Sequence, residues 1–529
     1  MAGVLPSPRA LLTASFAVAR SGLMRPYRPD HMMRFGLGLI RHGAGPGWGP
    51  LAGATLYPDA PAITDDRGAV TFRELEERCE AAARELAARL SPGDVVAILG
   101  RNSSLFYLTI VAATRCGADV LYLNTGFSPE QIADAVSRNG VRAIVHDAEF
   151  ARRVPGHVMS IPMTGDHDVT IERMAAQRRS QPSPPARRSR HIMLTSGTTG
   201  HPKGTSRTGG EVSSAIALLS GLPYRTRDTC LIAAPMFHAW GWLNTMLSML
   251  LGSSLVVTRK FDPEGTLALV ERERCQVLVA VPTMLRRIMG LPPEIRRRYD
   301  TSSLRAVTVS GSALPPTLAT AFMDEFGDVL YSLYGSTEAG YAAVATPADL
   351  RAAPGTAGRP LPTVEIQIRD SRGTRRPPGR AGMIWVSSRD SLADASASDG
   401  RGPVCTGDIG SFDQAGRLFV AGRADDMIIT GGENVYPSEV ENVLEQHPDV
   451  AEAAVTGSPD EVYGQALVAH VVLRDGSPLD DDNVMRDELR SWCRDRLSPF
   501  QVPHRFVVHD ALPHNPAGKV VKRDLTEPG

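Results

Sequence analysis

Lysine is nearly missing from this sequence, although arginine is common. The 529 residues include 57 lysines and arginines, and only four of these are lysines, namely Lys203, Lys260, Lys519 and Lys522. Arginine therefore supplies most of the positive charge, and lysine is expected to remain where a compact, mobile ammonium is required. The formal net charge of −1 excludes an overall field that would favour nucleic acid or anionic lipid.

Cysteine is scarce as well. The six cysteines lie far apart and form no C-x-x-C pair. This spacing argues against a disulfide framework and against a zinc site, and it fits a reducing, cytoplasmic compartment.

The N-terminal region contains no apolar run long enough for a membrane span. The stretch 11–19 is apolar, but Arg9 and Arg20 bound it, and a span needs about 20 residues. Arginines also follow it where a signal peptide would be cleaved. We interpret residues 1–50 as beginning with a helix packed on the body, with peripheral membrane contact as an alternative.

A glycine-rich loop is the most distinctive stretch that is present. Residues 194–204 read LTSGTTGHPKG and follow the apolar run 191–194. Glycines let the backbone approach a ligand, and backbone N–H groups, hydroxyls and the Lys203 ammonium suit a polyphosphate. The spacing does not match a Walker A loop, and a polar surface loop remains the alternative at this point.

Alternating helices and strands predict an α/β fold with a parallel, covered sheet. Apolar residues between positions 72 and 90 recur at spacings of three and four, which predicts an amphipathic helix. Strands are predicted at 94–99, 119–123, 141–146, 306–309 and 329–333, and further helices at 103–116, 129–138, 211–220 and 316–326. No G-x-G-x-x-G motif opens any of these units, so a dinucleotide-binding fold has no support.

Two of the predicted strands end in small, polar turns, at 310–313 and 334–338. Ligands of open α/β sheets bind at the carboxyl ends of strands, so both turns are candidate binding loops. By contrast, the region 229–261 contains no acidic residue. It carries His238, Trp240 and Trp242, which line either a plain core or an apolar pocket.

The last 170 residues change in character. Glycine, proline and short alternating runs over 356–422 predict a small β-rich subdomain that contains the turn Thr406-Gly407-Asp408. A separate domain of about 100 residues follows. In it, a capping box at 438–441 starts a helix, another helix lies near 482–496, and a turn at 515–519 precedes a short strand.

Taken together, these stretches resemble the adenylate-forming (AMP-binding) superfamily of acyl-CoA synthetases, luciferases and peptide-synthetase adenylation domains. The resemblance covers about residues 60–525 and is closest to bacterial fatty acyl-CoA synthetases. It rests on six motifs in the family's order, at 194–204, 334–338, 406–408, 422–425, 431–434 and 518–519.

The resemblance implies an adenylation domain, residues 1–423, with two parallel-type sheets and the β-rich subdomain. A small, mobile α+β domain, residues 424–529, would carry the catalytic lysine. In the implied reaction the carboxylate of a fatty acid attacks the α-phosphate of ATP, which gives an acyl-adenylate and pyrophosphate. Coenzyme A then displaces AMP to give a thioester. The implied cofactors are ATP, Mg²⁺ and coenzyme A, with no nucleic acid, and a homodimer is possible.

The resemblance also assigns roles to single residues. Thr337 would contact the α-phosphate, Glu338 would bind Mg²⁺ and Lys519 would bridge the substrate carboxylate and the α-phosphate. The β- and γ-phosphates would lie against Thr195, Ser196, Gly197, Thr198, Thr199, Gly200 and Lys203. Adenine and ribose would lie against Gly311, Ser312, Ala313, Tyr334, Gly335, Asp408 and Arg423.

The remaining roles concern the acyl end and the hinge. His238 would lie near the carboxylate, and Trp240 or Trp242 would gate an acyl tunnel. Asp425 matches the hinge, and the loop with Gly431 and Gly432 would face the thioester-forming site.

Two alternatives and two departures accompany this prediction. A fatty acyl-AMP ligase that loads a carrier protein is the close alternative, and a non-catalytic acyl or nucleotide binder is the more distant one. The segment 387–403 lacks the family's usual G-Y-x-x-x-P-like sequence. His514 replaces the basic residue that often precedes Asn515.

Overall fold

The chain folds into two compact units, Met1–Thr308 and Val309–Gly529. The structure is a computed structural model. It describes residues 8–23, 27–42, 45–177, 187–195, 203–207, 212–336, 339–362, 364–387, 403–430, 433–460, 463–474, 477, 482–515 and 518–525.

Local sequence signals start most helices of the first unit. Thr71 caps the helix Phe72–Ala87 with a reciprocal capping box to Glu74, and Ser128 caps the helix Pro129–Arg138 in the same way with Gln131. The described helices of the first unit are α1 Pro8–Ser21, α2 Pro29–His42, α3 Gly49–Leu56, α4 Phe72–Ala87, α5 Ser104–Arg115, α6 Pro129–Arg138, α7 Ile171–Ala175, α8 Val212–Gly221, α9 Ala239–Leu250, α10 Pro263–Arg272, α11 Pro282–Met289 and α12 Pro293–Arg296.

Parallel strands dominate both sheet regions of this unit. Its strands are β1 Pro61–Asp65, β2 Gly68–Thr71, β3 Val95–Leu99, β4 Asp119–Tyr122, β5 Val141–His146, β6 Met159–Pro162, β7 His191–Thr195, β8 Lys203–Arg207, β9 Thr229–Ile232, β10 Ser254–Val257, β11 Val277–Ala280 and β12 Ala306–Val309. One sheet has the order β6-β5-β3-β4-β7-β8, parallel except for the last pair. In the other, β11, β9, β10 and β1 are parallel neighbours, and β2 closes the edge antiparallel to β1.

The second unit is mainly antiparallel. Its first strands, β13 Leu330–Ser336, β14 Gly340–Ala345 and β15 Arg359–Pro360, pair in that order. The next four, β16 Glu365–Arg369, β17 Gly382–Ser387, β18 Val404–Phe412 and β19 Leu418–Arg423, form the predicted β-rich subdomain. Helices α13 Pro316–Phe326 and α14 Pro347–Ala352 precede this subdomain in the chain.

The C-terminal part has an apolar core of its own, with Val455, Leu467, Leu489 and Phe506 among its buried members. A hairpin, a three-stranded sheet and two helices surround this core. Their bounds are β20 Ile428–Thr430, β21 Glu433–Val435, α15 Pro437–Leu444, β22 Val450–Asp460, β23 Gly464–Leu473, α16 Asp482–Arg494 and β24 Arg505–Val508.

The predicted α/β class, with parallel sheets in the large N-terminal part and a small C-terminal part, is confirmed. Residue 423 was predicted as the boundary before a mobile C-terminal domain, and this boundary stays a prediction.

Several local predictions were wrong. The sequence 438–441 forms no capping box, because Ser438 hydrogen-bonds the Ala421 carbonyl and Tyr436 occupies the N-cap of α15. The predicted turns at Tyr334 and Thr406 lie inside β13 and β18, since antiparallel partners continue both strands. A single bridge between His514 and Val520, then a 3₁₀ turn Lys522–Asp524, replaces the predicted short strand.

Among the described residues, no helix is both long enough and apolar enough to cross a bilayer.

Candidate active site

The second unit brings Tyr334 and Asp408 into direct contact. Tyr334 lies on β13 and Asp408 on β18, and the Tyr334 hydroxyl donates to Asp408 Oδ2 over 2.5 Å. The same hydroxyl lies 3.3 Å from Oγ1 of Thr406, and the Asp408 amide donates to that oxygen over 3.1 Å. Asp408 Oδ1 lies 3.7 Å from Arg423 Nη1. One carboxylate oxygen is therefore held by the Tyr334 hydroxyl, while the other faces the Arg423 guanidinium at a longer distance.

Arg423 connects this carboxylate to the predicted hinge residue. Its Nη1 donates to the Thr406 carbonyl over 2.8 Å, and its Nε donates to Asp425 Oδ1 over 2.9 Å. Gly407 has a φ of 77°, and a Cβ at this position would lie 2.9 Å from Arg423 Nη1. The left-handed backbone favours glycine here, and any larger residue would also displace the Arg423 guanidinium.

The charges of this group are interdependent. Burial raises the pKa of the Asp408 carboxyl, while the Tyr334 hydrogen bond and the positive charges of Arg423 and Lys519 act in the opposite direction. Hydrogen bonds from Arg423 lower the pKa of Asp425. Burial, followed by the neighbouring Asp408 charge, raises the pKa of Tyr334, so this phenol remains a neutral donor.

Lys519 lies at the end of a tight turn, and its positive charge acts on the carboxylates of this group. Its amide donates to Asn515 Oδ1 over 3.0 Å, and Gly518, with a φ of 81°, lets the chain reverse. The side chain is exposed, and its positive charge acts on both Asp408 and Asp425. The predicted catalytic lysine therefore acts electrostatically on the predicted ribose acceptor, although about 110 residues separate them in the chain.

Two contacts at the ends of this turn attach it to the C-terminal core. His514 Nε2 lies 2.8 Å from Glu452 Oε1 on β22, and Lys522 Nζ lies 2.7 Å from Glu441 Oε1 on α15. Sequence reasoning noted His514 only as a departure from the family pattern. It did not find Glu452, because no local pattern links positions so far apart.

The predicted adenine loop occupies the segment between β12 and α13. Gly311 has a φ of 95° and is exposed, as is Ala313, while Ser312 is half-buried. The hydroxyl of Ser310 donates to the Leu333 carbonyl over 2.8 Å, which ties the loop to β13. At Gly335 a Cβ would come within 2.5 Å of the Gly340 carbonyl oxygen, so close pairing with β14 requires glycine.

In the first unit, His238 has a buried nitrogen with no hydrogen-bond partner among the described residues. It occupies the N-cap of α9, and its ring is tilted by 47° against that of Phe237, with centroids 4.5 Å apart. The nitrogen in question is Nε2. Burial lowers its pKa to about 4, so the imidazole is neutral near pH 7. A neutral imidazole whose nitrogen lacks a partner is suited to bind a substrate carboxylate as a hydrogen-bond donor.

Helix α9 approaches the preceding segment closely. A Cβ on Gly241 would lie 2.2 Å from the Pro235 carbonyl oxygen, so the glycine is needed for this packing. Trp240 is buried and donates from Nε1 to the Ala280 carbonyl over 2.9 Å. Trp240, one of the two tryptophans proposed as gates, is therefore anchored at its polar end.

A buried chain of three hydrogen-bonded aromatic residues, which no sequence pattern predicted, connects α9 to β7. Trp242 Nε1 donates to the Tyr122 hydroxyl over 2.8 Å, and that hydroxyl lies 2.8 Å from His191 Nδ1. Because Tyr122 accepts from Trp242, its own hydrogen points to His191, whose pKa burial lowers to about 4. His191 begins the strand that leads into the predicted phosphate loop.

The bounds of that loop are visible in the structure. Thr195 pairs with Lys203 across β7 and β8, so a hairpin brackets the glycine-rich segment. Predictions for Ser196, Gly197, Thr198, Thr199, Gly200, Thr337, Glu338, Gly431 and Gly432 fall outside the described residues, as do the side chains of Thr195 and Lys203.

Models of two known protein families match this chain. The family described as AMP-binding enzyme matches residues 52–393, and the AMP-binding enzyme C-terminal domain matches residues 439–519. The chain belongs to the AMP-binding enzyme family. The predicted adenylate-forming superfamily is thereby confirmed.

Relatives of this AMP-binding enzyme cover most of its length. The feruloyl-CoA synthase of an Amycolatopsis species is 33% identical over 493 residues, 90% of this chain and 97% of that protein. The 2-succinylbenzoate–CoA ligase of Geobacillus kaustophilus (strain HTA426) is 34% identical over 487 residues, 89% and 96% of the two chains.

A solved relative is the o-succinylbenzoate CoA synthetase of Bacillus subtilis in complex with its acyl-adenylate intermediate. It superposes with a TM-score of 0.77 at 29% identity and covers 90% of this chain and 98% of its own. The names of these three proteins do not support the narrower resemblance to fatty acyl-CoA synthetases.

Proposed function

We propose that this chain is an ATP-dependent, AMP-forming acid–CoA ligase that acts on an apolar carboxylic acid through an acyl-adenylate. The group formed by Tyr334, Asp408, Arg423 and Lys519 carries the proposal. In this group the Asp408 carboxylate can accept hydrogen bonds from a sugar diol, and Lys519 supplies a mobile positive charge. Adenylation of an acid by ATP requires both. The substrates are ATP, the acid and coenzyme A.

Recognition of ATP begins at the ribose. The Asp408 carboxylate accepts hydrogen bonds from the ribose hydroxyls, while Tyr334 and the Asp408 amide hold its orientation. Arg423 keeps the neighbouring backbone in place through the Thr406 carbonyl. Because the carboxylate is already positioned, ribose binding requires little further ordering of the protein.

Lys519 serves the first half-reaction. The acid attacks the α-phosphorus of ATP, the bond to pyrophosphate breaks, and two negatively charged groups must approach each other. An ammonium between the carboxylate and the α-phosphate offsets that repulsion in the transition state. Mg²⁺, with Glu338 as its predicted ligand, would neutralise phosphate charge when bound.

His238 holds the acid. Its neutral ring donates to one carboxylate oxygen from Nε2, which has no hydrogen-bond partner among the described residues. A charged imidazolium would bind the carboxylate more tightly before the reaction and make it a weaker nucleophile. Burial of His238 therefore favours attack.

The stretch around α9 supports an apolar acid. No acidic residue occurs from Thr229 to Phe261, so a substrate ammonium would find no counter-charge there. Medium- or long-chain fatty acids are our first candidates, because each CH₂ that an apolar pocket buries adds about 0.8 kcal/mol to the free energy of binding. The feruloyl and succinylbenzoate groups in the names of relatives favour aryl acids as the second candidate.

The deciding assay supplies ATP, Mg²⁺ and a panel of fatty and aryl acids, with and without coenzyme A. We expect acid-dependent pyrophosphate release, and a CoA thioester when coenzyme A is present. Pyrophosphate release without thioester, but with loading of a carrier protein, would assign the chain to the acyl-AMP ligases. Absence of pyrophosphate release with every acid would favour a non-catalytic binder.

A further inference from the structure

Helix α2, Pro29–His42, turns an apolar face toward solvent. Met33, Leu37 and Ile40 follow one another at helical spacing, and Met32 and Leu39 lie beside them. Ile40 is 85% exposed, Met33 62% and Leu37 60%. Among the described residues, six of the eleven large hydrophobic side chains that are exposed fall between positions 16 and 40. Such clustering is unusual on a monomer that has no partner.

The opposite face of α2 fixes this orientation. Phe35 packs edge-on against Tyr27 and Trp48, with ring centroids 5.6 and 5.9 Å away. Gly38 is buried, and a Cβ there would lie 2.3 Å from Leu51 Cδ2. The helix is therefore held by Phe35 and Gly38 and cannot rotate its outer apolar residues inward without losing these contacts.

The positive charge of the N-terminal region indicates which kind of partner this face of α2 binds. Residues 1–42 contain six arginines and one acidic residue, Asp30, in a chain whose formal net charge is −1. Asp30 pairs with Arg28 over 3.1 Å, while Arg34 is exposed on the flank of the apolar face. A basic, amphipathic helix of this kind is suited to an interface that is apolar below and anionic above.

The helix is too short to span a bilayer. Its 14 residues extend about 21 Å, against about 30 Å of hydrocarbon. It also lies outside the AMP-binding match, which begins at residue 52. The face is therefore an addition to the part of the chain that carries the catalytic motifs.

We propose that the outer face of α2 docks on an anionic membrane surface. Met32, Met33, Leu37, Leu39 and Ile40 insert at the boundary between headgroups and acyl chains, and Arg34 meets lipid phosphate. A second copy of the chain is a poorer occupant, because paired faces would bring arginine-rich segments together without a counter-charge.

The test is flotation of the full chain with phosphatidylcholine vesicles that contain or lack phosphatidylglycerol. We expect binding to the anionic vesicles, weakened by salt, and about tenfold weaker binding for the variant Leu37→Gln/Ile40→Gln. The matched control is Val169→Gln/Phe500→Gln, which replaces two exposed apolar residues elsewhere and is expected to bind like the unaltered chain.

If thermal denaturation shows that the double variant does not fold, the single variant Arg34→Gln provides a second test of binding. This surface substitution should weaken binding to anionic vesicles and leave pyrophosphate release unchanged. Equal binding by all variants, or no binding to either vesicle, would overturn the proposal. So would a dimer in vesicle-free solution that Ile40→Gln dissociates, because the face would then belong to a second copy.

Discussion

The Tyr334 hydroxyl donates to Asp408 Oδ2 over 2.5 Å, although 74 residues separate the two in the chain. This bond fixes the carboxylate that is proposed to receive the ribose. Tyr334→Phe removes the donor and keeps the ring, so we expect the KM for ATP to rise about tenfold, the loss of about 1.4 kcal/mol. Steady-state kinetics at saturating acid measures it.

Tyr299 offers a matched control for that substitution. Its hydroxyl also donates to a carboxylate, Glu264 Oε1, over 2.8 Å, but in the first unit. Tyr299→Phe is expected to leave the KM for ATP unchanged. Equal kinetic effects of the two substitutions would show that Tyr334 acts only through general stability.

The raised pKa of Asp408 predicts an acid limb in the pH profile of kcat/KM for ATP. As pH falls through that pKa, the carboxylate becomes protonated and loses its acceptor charge, so activity declines. An ordinary aspartate, with a pKa of about 3.9, would titrate lower. Tyr334→Phe should move this limb to higher pH, because the hydrogen bond that lowers the Asp408 pKa is gone. Identical acid limbs in the unaltered enzyme and Asp408→Asn would contradict the assignment.

Lys519→Ala should separate the two half-reactions. We expect pyrophosphate release to fall about 10²- to 10³-fold, since a transition-state charge loses its counter-ion. Thioester formation from supplied acyl-adenylate should remain. Lys260→Ala, another exposed lysine, is the control and should affect neither step. A parallel loss of both steps in a folded Lys519→Ala protein would refute the role.

Glu452 is predicted to position the Lys519 turn through His514. Glu452→Gln removes the charge from this half-buried pair, so adenylation should slow about threefold, the loss of about 0.7 kcal/mol. Thioester formation from supplied adenylate should not change. Asp487→Asn, which alters an exposed pair with Arg490, is the control. Equal slowing of both half-reactions would indicate a structural role alone.

Trp242 is the hypothetical gate of the acyl site. Trp242→Ala is expected to change the preferred acid and the KM for that acid, because it opens volume next to Tyr122 at α9. Trp385→Ala, a half-buried tryptophan of β17, serves as control, and thermal denaturation shows whether each variant folds. Unchanged acid preference in a folded Trp242→Ala protein would rule out gating by this residue.

The predicted elements agree with the structure where short-range signals act alone. Helix α6 was predicted at 129–138 and occupies Pro129–Arg138, because Ser128, Pro129 and Gln131 specify its start. Strand β5 was likewise predicted at its observed bounds. The prediction failed at Ser438, whose hydroxyl finds the carbonyl of Ala421 instead of its own helix. Such a contact depends on a strand that sequence spacing cannot locate.

The sequence by itself determined the family, since ordered motifs such as 194–204 and 406–408 need no geometry to be recognised. It also indicated that Asp408 and Lys519 serve one reaction. Only the tertiary structure decided which residues support them: Tyr334 on Asp408, Arg423 beside Gly407, and Glu452 on His514. It alone also showed the contact of Trp242 with Tyr122 in the first unit. The reason is physical. Motif residues carry chemistry and are recognisable by type, whereas their supports are set by packing between distant strands and helices, where many residue types would fit the same local pattern.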